Sequence, residues 1–188
     1  MPDLKGIGAQ KEYQEKATVY WQQVNEHLSS LTKLGEPTHI FHESVTETGE
    51  PAMKAIEQMN EGSHNLIKAT LGNGAKLEVA EEPQLLNEYI DWSMCLQVIG
   101  RSQDVVKKII GFQMDASKKR LKHFAKRINE TLKKEESGLL IMSDESRISL
   151  QSYLPSDIRF FLVHPPAFND IQRLLRELLT PSRDTTHE

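Results

Sequence analysis

A chain of 188 residues is long enough for one hydrophobic core and short for two. Hydrophobic residues make up 38% and charged residues 27%, and no apolar run approaches the roughly 20 residues that span a bilayer. The formal charge of −4 hides an asymmetry: residues 107–134 hold ten Lys or Arg against Asp115 and Glu130, a local +8 that leaves −12 elsewhere.

The opening sequence MPDLKGIGAQKEYQEK lacks the apolar core of a secretory signal, and the lone cysteine, Cys95, excludes an internal disulfide. Both fit a cytoplasmic protein of a prokaryote. Residues 1–16 read as a weakly ordered arm, 17–180 as a single domain and 181–188 as a flexible tail. From Thr18, residues Val19, Val24, His27, Leu28, Leu31 and Leu34 recur at mostly helical spacing until Gly35-Glu36-Pro37 ends the run. Residues 38–42 then read as a strand. Pro51 suits the first turn of a helix carrying Ala52, Ile56 and Met59, with Gly62 as its stop. Ser63 is the expected N-cap of the next helix, which holds Leu66, Ile67 and Leu71 and closes at Gly72-Asn73-Gly74.

Residues 75–80 form the second expected strand. Pro83 opens a helix whose seam is Leu85, Tyr89, Trp92, Leu96 and Ile99, with Gly100 beyond it. A long helical region follows over 103–134, with Gly111 a candidate break and Leu121, Phe124, Ala125, Ile128 and Leu132 on one face. The runs GLLIMS (138–143) and IRFFLVH (158–164) suit strands buried on both faces. A last helix carries Phe168, Ile171, Leu174, Leu175 and Leu178. Strands separated by helices predict an α/β fold of about four mainly parallel strands with helices on both faces.

Parallel strands end at one edge, where ligands of such folds bind. His42-Glu43 closes strand one, Glu78 and Glu81-Glu82 strand two, Ser143-Asp144-Glu145 strand three, and His164 strand four. Paired carboxylates divide acid and base roles when their environments separate their pKa values, which makes His42, Glu43 and Glu81 the catalytic candidates. Imidazole with carboxylates can also hold a divalent metal, although no histidine pair stands at zinc-motif spacing. Asn65, Arg120 and His164 are the ligand-binding candidates: an amide, a guanidinium and a strand-end imidazole. Arg120 and Arg127 lie seven apart on one helix flank and can grip an anion or this chain's own carboxylates. Structural roles account for the same residues: acids at a helix start for Glu81-Glu82, helix initiation for Ser63 and Asn65, a turn for Asp144-Glu145. There is no nucleophile elbow, phosphate loop or dinucleotide fingerprint, and no cofactor is implied.

Three blocks resemble a family of uncharacterised prokaryotic conserved proteins: IFHESVTETG (40–49), GSHNLIKATLGNGAKLEVAEEPQLLNEY (62–89), and RLKHFAKRINETLKKEESGLLIMSDESRIS (120–149) with LPSDI (154–158). The middle block matches that family's Gly-Ser-x-Asn, Gly-Ala-x-Leu and Glu-x-Pro-x-Leu-Leu elements. The resemblance carries Glu43, Asn65, Glu81 and Arg120 as its polar candidates. It departs where the family has a histidine after strand three, since Ser143-Asp144-Glu145-Ser146 has none, and where the family's Arg-Asp pair is Arg120-Leu121. Those losses imply a catalytically diminished member. A fainter similarity to erythromycin-esterase-like proteins is analogy alone. The resulting expectation is a small ligand-binding or regulatory protein, with a polar ligand or a second copy of itself as partner. The alternatives are a hydrolase acting on a small polar substrate, and a weak nucleic-acid binder through the basic helix. Few aromatic residues interleave with those charges, so specific nucleic-acid binding is not expected.

Overall fold

The structure, a computed structural model, describes residues 7–31, 35–98 and 101–179. Its described elements are α1 (Ile7–Leu31), β1 (His39–His42), α2 (Gly49–Met59), α3 (Glu61–Gly72), β2 (Lys76–Glu78), α4 (Pro83–Val98), α5 (Gln103–Thr131), β3 (Gly138–Ile141), α6 (Asp144–Gln151) and α7 (Ala167–Leu179). The molecule is therefore mainly helical. The expected α/β fold of about four strands is corrected to seven helices around one small three-stranded sheet among the described residues.

The strand order is β2-β1-β3, with β1 parallel to both neighbours. Side chains alternate across this sheet, so Phe41 and Ile40 point to opposite faces and seed two cores. Phe41 packs with Ala80, Leu121, Phe124, Ala125, Ile128 and Leu150 beneath α5 and α6. Ile40 packs with Val45, Ala52, Ile56, Ile67 and Ala75 beneath α2 and α3. A third packing unit joins α1 to α7, where Tyr20 lies 6.1 Å from Phe168 and the Gln23 side chain accepts from the Ala167 N–H.

The expected fourth strand at 158–164 has no regular secondary structure and lies outside the sheet. IRFFLVH is apolar without alternation, a pattern that does not say whether the backbone finds a ladder partner. Here it finds none, and Phe161 and Leu162 are exposed. Residues 9–16, expected in a weakly ordered arm, are helical turns of α1, stitched by Lys11–Glu15 and Lys16–Glu12 pairs. The tail at 181–188 lies outside the described residues. Gly111 does not break α5.

Two expected helix signals also shift. Asn60 caps α3, its side chain accepting from the Ser63 N–H, while Ser63 Oγ donates to the Asn60 carbonyl. Gly62 is thus inside α3 rather than a stop for α2. A Cβ there would overlap the Trp21 ring of α1, so the absent side chain lets these two helices cross closely.

Candidate functional site

β1 ends at His42, and the chain then turns through Ser44, whose φ of 71° is left-handed backbone that an L-residue adopts at a cost of about 1–2 kcal/mol. That turn aims the Ser44 N–H at Glu81 Oε1, 3.2 Å away, and sets Glu43 over the end of β3. Glu43 N–H donates to the Ile141 carbonyl at 2.9 Å, and Glu43 Oε2 accepts from the Ser143 N–H at 2.7 Å. Glu43 Oε1 accepts from Ser146 Oγ at 2.7 Å.

Arg120 enters this edge from the middle of α5. Its Nε donates to Glu81 Oε1 and Oε2 at 2.9 and 3.0 Å, and its Nη2 donates to Glu81 Oε1 at 2.5 Å and to Glu43 Oε1 at 2.8 Å. The Tyr89 ring of α4 covers the guanidinium, its centroid 4.9 Å from Cζ. Arg120 is 1% exposed and Glu81 2%. One cation thus stands between two carboxylates, and the excess negative charge is met by the Ser44 and Ser143 N–H groups and the Ser146 hydroxyl. Among the described residues, no buried side-chain N or O lacks a partner.

These surroundings set the protonation states. Burial alone would lift the Glu43 carboxyl, but the Ser143 N–H, Arg120 and Ser146 outweigh it and hold the group below the ordinary carboxylate value. Burial likewise opposes the charge on Arg120, and Glu81 and Glu43 more than restore it, so the guanidinium stays charged. Burial pushes the His42 imidazole below its ordinary value, although the Glu43 carbonyl and the Glu43 and Glu81 carboxylates pull the other way. His42 Nδ1 lies against the Glu43 carbonyl, a contact that makes it the donor.

The six predicted site residues separate into two groups. His42, Glu43, Glu81 and Arg120 meet at the carboxyl edge of the sheet. Asn65 and His164 do not join them. Asn65 is exposed on α3 and its amide oxygen lies 3.4 Å from His64 Nδ1, while the His164 ring lies tilted against Phe168 of α7, ring centroids 4.1 Å apart. Sequence reasoning missed Ser44, Ser146 and Tyr89 as members of this cluster. Ser146 stands three residues after the N-cap Ser143, a position that a helix-start pattern marks, whereas Tyr89 is hidden among the apolar residues of its seam. Arg127 pairs with Glu130 at 3.4 Å and donates to the Val79 carbonyl.

Two clefts open elsewhere on the surface. One, of about 510 Å³, is lined by Lys122, Ala125, Lys126, Asn129, Tyr153, Leu154 and Pro155; the other, of about 220 Å³, lies by Arg101, Ser102 and Lys107. Neither is lined by a residue of the Glu43–Arg120–Glu81 cluster. Among the described residues, no group of three or more His, Cys, Asp or Glu is placed to hold a metal ion, and no helix is long and apolar enough to cross a membrane. The chain matches no family model, no characterised protein and no solved structure.

Proposed function

We propose that this chain acts by binding, as a small regulatory protein, and not by hydrolysis. The carrying observation is that both candidate carboxylates are already committed inside the fold. A general base needs a lone pair within hydrogen-bond reach of the proton it removes. Glu81 is closed off from solvent with both oxygens on Arg120, and Glu43, whose side chain is 15% exposed, accepts from Arg120 and Ser146 at one oxygen and from Ser143 at the other, which ties both carboxylates to the fold. A buried, fully satisfied ion cluster joins the ends of β1 and β3, the segment after β2, and α5. That is what a structural lock does. The shallow, open surface beside Lys122, Lys126, Asn129 and Tyr153 offers ammonium, amide and hydroxyl donors to a polar or anionic partner.

The test is a panel of small ester, amide and phosphoester substrates given to the wild-type chain and to Glu43→Gln, which keeps the shape and removes the charge. Binding as the sole role predicts no turnover above buffer and a lower melting temperature for the variant. Turnover by the wild type that Glu43→Gln abolishes at unchanged melting temperature would establish the hydrolase instead.

A further inference from the structure

The central strand β1 has a cation set among carboxylates at each end. At the carboxyl end that cation is Arg120, between Glu81 and Glu43, and a guanidinium does not give up its proton. At the amino end an imidazole takes the same place. His39 Nδ1 lies 2.8 Å from Glu78 Oε1, and its Nε2 lies 3.3 Å from Glu136 Oε2. The register explains the meeting. Glu78 stands two residues beyond Lys76, the β2 partner of His39, and Glu136 stands two before Gly138, its β3 partner. The three side chains are 14%, 23% and 29% exposed. The Lys133 N–H donates to Glu136 Oε2 at 2.8 Å and, with the charges of His39 and Lys133, holds that carboxyl below its ordinary value. Glu136 is therefore an anion throughout the range in which imidazoles titrate. Only an imidazolium can donate to both neighbours. A neutral ring has one N–H, and its bare nitrogen would turn a lone pair toward a carboxylate oxygen. The shorter contact, to Glu78, is the one a neutral ring keeps, with Nδ1–H as the donor. Glu136 is the one it gives up.

We propose that His39 is a proton-operated clasp: charged, it ties the segment entering β3 to β1, and neutral, it releases that segment. The released element is poised to move. β3 is an edge strand whose sheet neighbour is β1, and the segment before it holds Glu135 at a φ of 71°, left-handed backbone that an L-residue keeps under constraint. Once Glu136 leaves, Ser137 still holds the segment: its carbonyl accepts from the Thr38 N–H and hydroxyl, and its Oγ donates to the Glu36 carbonyl. Opening is thus local. The charged groups around the clasp are Lys76 and Glu78 from β2, and Lys133 and Glu136 from the segment before β3. On β1 itself the neighbour is the Phe41 ring, 6.3 Å away. The sign follows from the proton. A clasp that needs a charged ring stabilises fully below the ordinary imidazole value of about 6.5, and is lost as pH rises above it. Rising pH loosens the amino end of β3 and leaves the Arg120 cluster at the other edge closed. The device needs no ligand, so it stands apart from the binding role.

A double-mutant cycle of His39→Gln and Glu136→Gln in the full chain, read by urea unfolding at about pH 6 and about pH 8.5, brackets the imidazole range. The expected coupling is about three- to fivefold in the unfolding constant at the lower pH, the size of a partly exposed ion pair, and none at the higher. All four chains share His42 and Glu43, so the titration of those groups cancels in the cycle. The matching cycle of His39→Gln with Glu78→Gln should keep part of its coupling at the higher pH. Amide exchange locates the change. Protection factors over residues 135–138 should fall between the two pH values in the wild type and stay level in Glu136→Gln. Each substitution keeps a polar side chain at a partly exposed position, so the variants remain folded. A His39–Glu136 coupling that is equal at both pH values, or absent at the lower one, would overturn the clasp. So would protection that changes with pH equally in the wild type and Glu136→Gln. Coupling to Glu136 that outlasts coupling to Glu78 would overturn the assignment of Glu136 as the released partner.

Discussion

The base and the tip of the α4–α5 hairpin use the same two helices in opposite ways. At the base, α5 sends Arg120 into a largely buried polar cluster and Leu121, Phe124 and Ile128 into a core. Toward the tip, side chains of the same apolar kind stand in water, with Lys119 beside them paired to Glu88. The lesson is that titratable residues gathered in one place need not be where a protein works. Here Glu43, Glu81 and Arg120 are bonded to one another and to Ser143 and Ser146, and on the proposed reading they serve stability.

The largest expected effect breaks the base. Arg120→Met leaves the buried Glu81 and the half-buried Glu43 without their cation, and removing one member of a buried ion cluster costs about 3–5 kcal/mol. Urea denaturation measures it directly, as a lower midpoint. Replacing all three charges together with apolar residues should recover much of that loss, because no unpaired charge remains.

A second test addresses the helix crossing that supports the sheet's other side. Gly62→Ala would ordinarily favour a helix, but here the methyl meets Trp21. We expect a net loss of about 1–3 kcal/mol, as for overpacked cores. The double variant Gly62→Ala with Trp21→Leu should be less affected than the sum of its parts.

Acid should weaken the base and spare the tip. The folded His42 imidazole takes up its proton only below the ordinary value of 6.5, so the unfolded chain protonates first and stability falls as pH drops through that value. The folded Glu43 carboxyl lies below its ordinary 4.5, so its contribution is present above that value and is lost as pH falls through the folded one. Two successive losses on acidification are expected in melting temperature, and His42→Gln should remove the first. At the tip, Met94→Glu should change stability by no more than about 0.5 kcal/mol, as for exposed positions generally.

The smallest effect concerns nucleic acid. Lys118, Lys122 and Lys126 face outward on α5, but Arg120 and Arg127 are occupied by Glu43, Glu81, Glu130 and the Val79 carbonyl. Fluorescence titration with a short duplex should show at most weak binding at low salt that disappears near about 150 mM.

Much of the base is legible in sequence because its signals are local. Short apolar runs before an acid or a turn mark 39–42, 76–78 and 138–141, and the parallel pairing of these three follows from the helical segments between them. The meeting of Glu43, Glu81 and Arg120 is less legible. Its partners are separated by 39 and 77 positions, and only the sheet register brings them together. The segment 158–164 misleads because apolarity specifies neither a ladder partner nor burial, and His164, expected at a strand end, lies in a segment outside the sheet. The expected α/β class gives way for a related reason: each strand is only three or four residues long, so helices dominate a chain whose strand and helix signals carry equal weight in sequence.

The central claim is that the carboxylate cluster holds the fold together and is not a catalytic site. The most direct measurement is the urea unfolding free energy of Glu81→Gln beside turnover of the ester, amide and phosphoester panel by the variant and the wild type. The account predicts a loss of a few kcal/mol in stability, the order expected for breaking a buried ion pair, with no turnover by either chain. Unchanged stability together with turnover that only the wild type shows would contradict it.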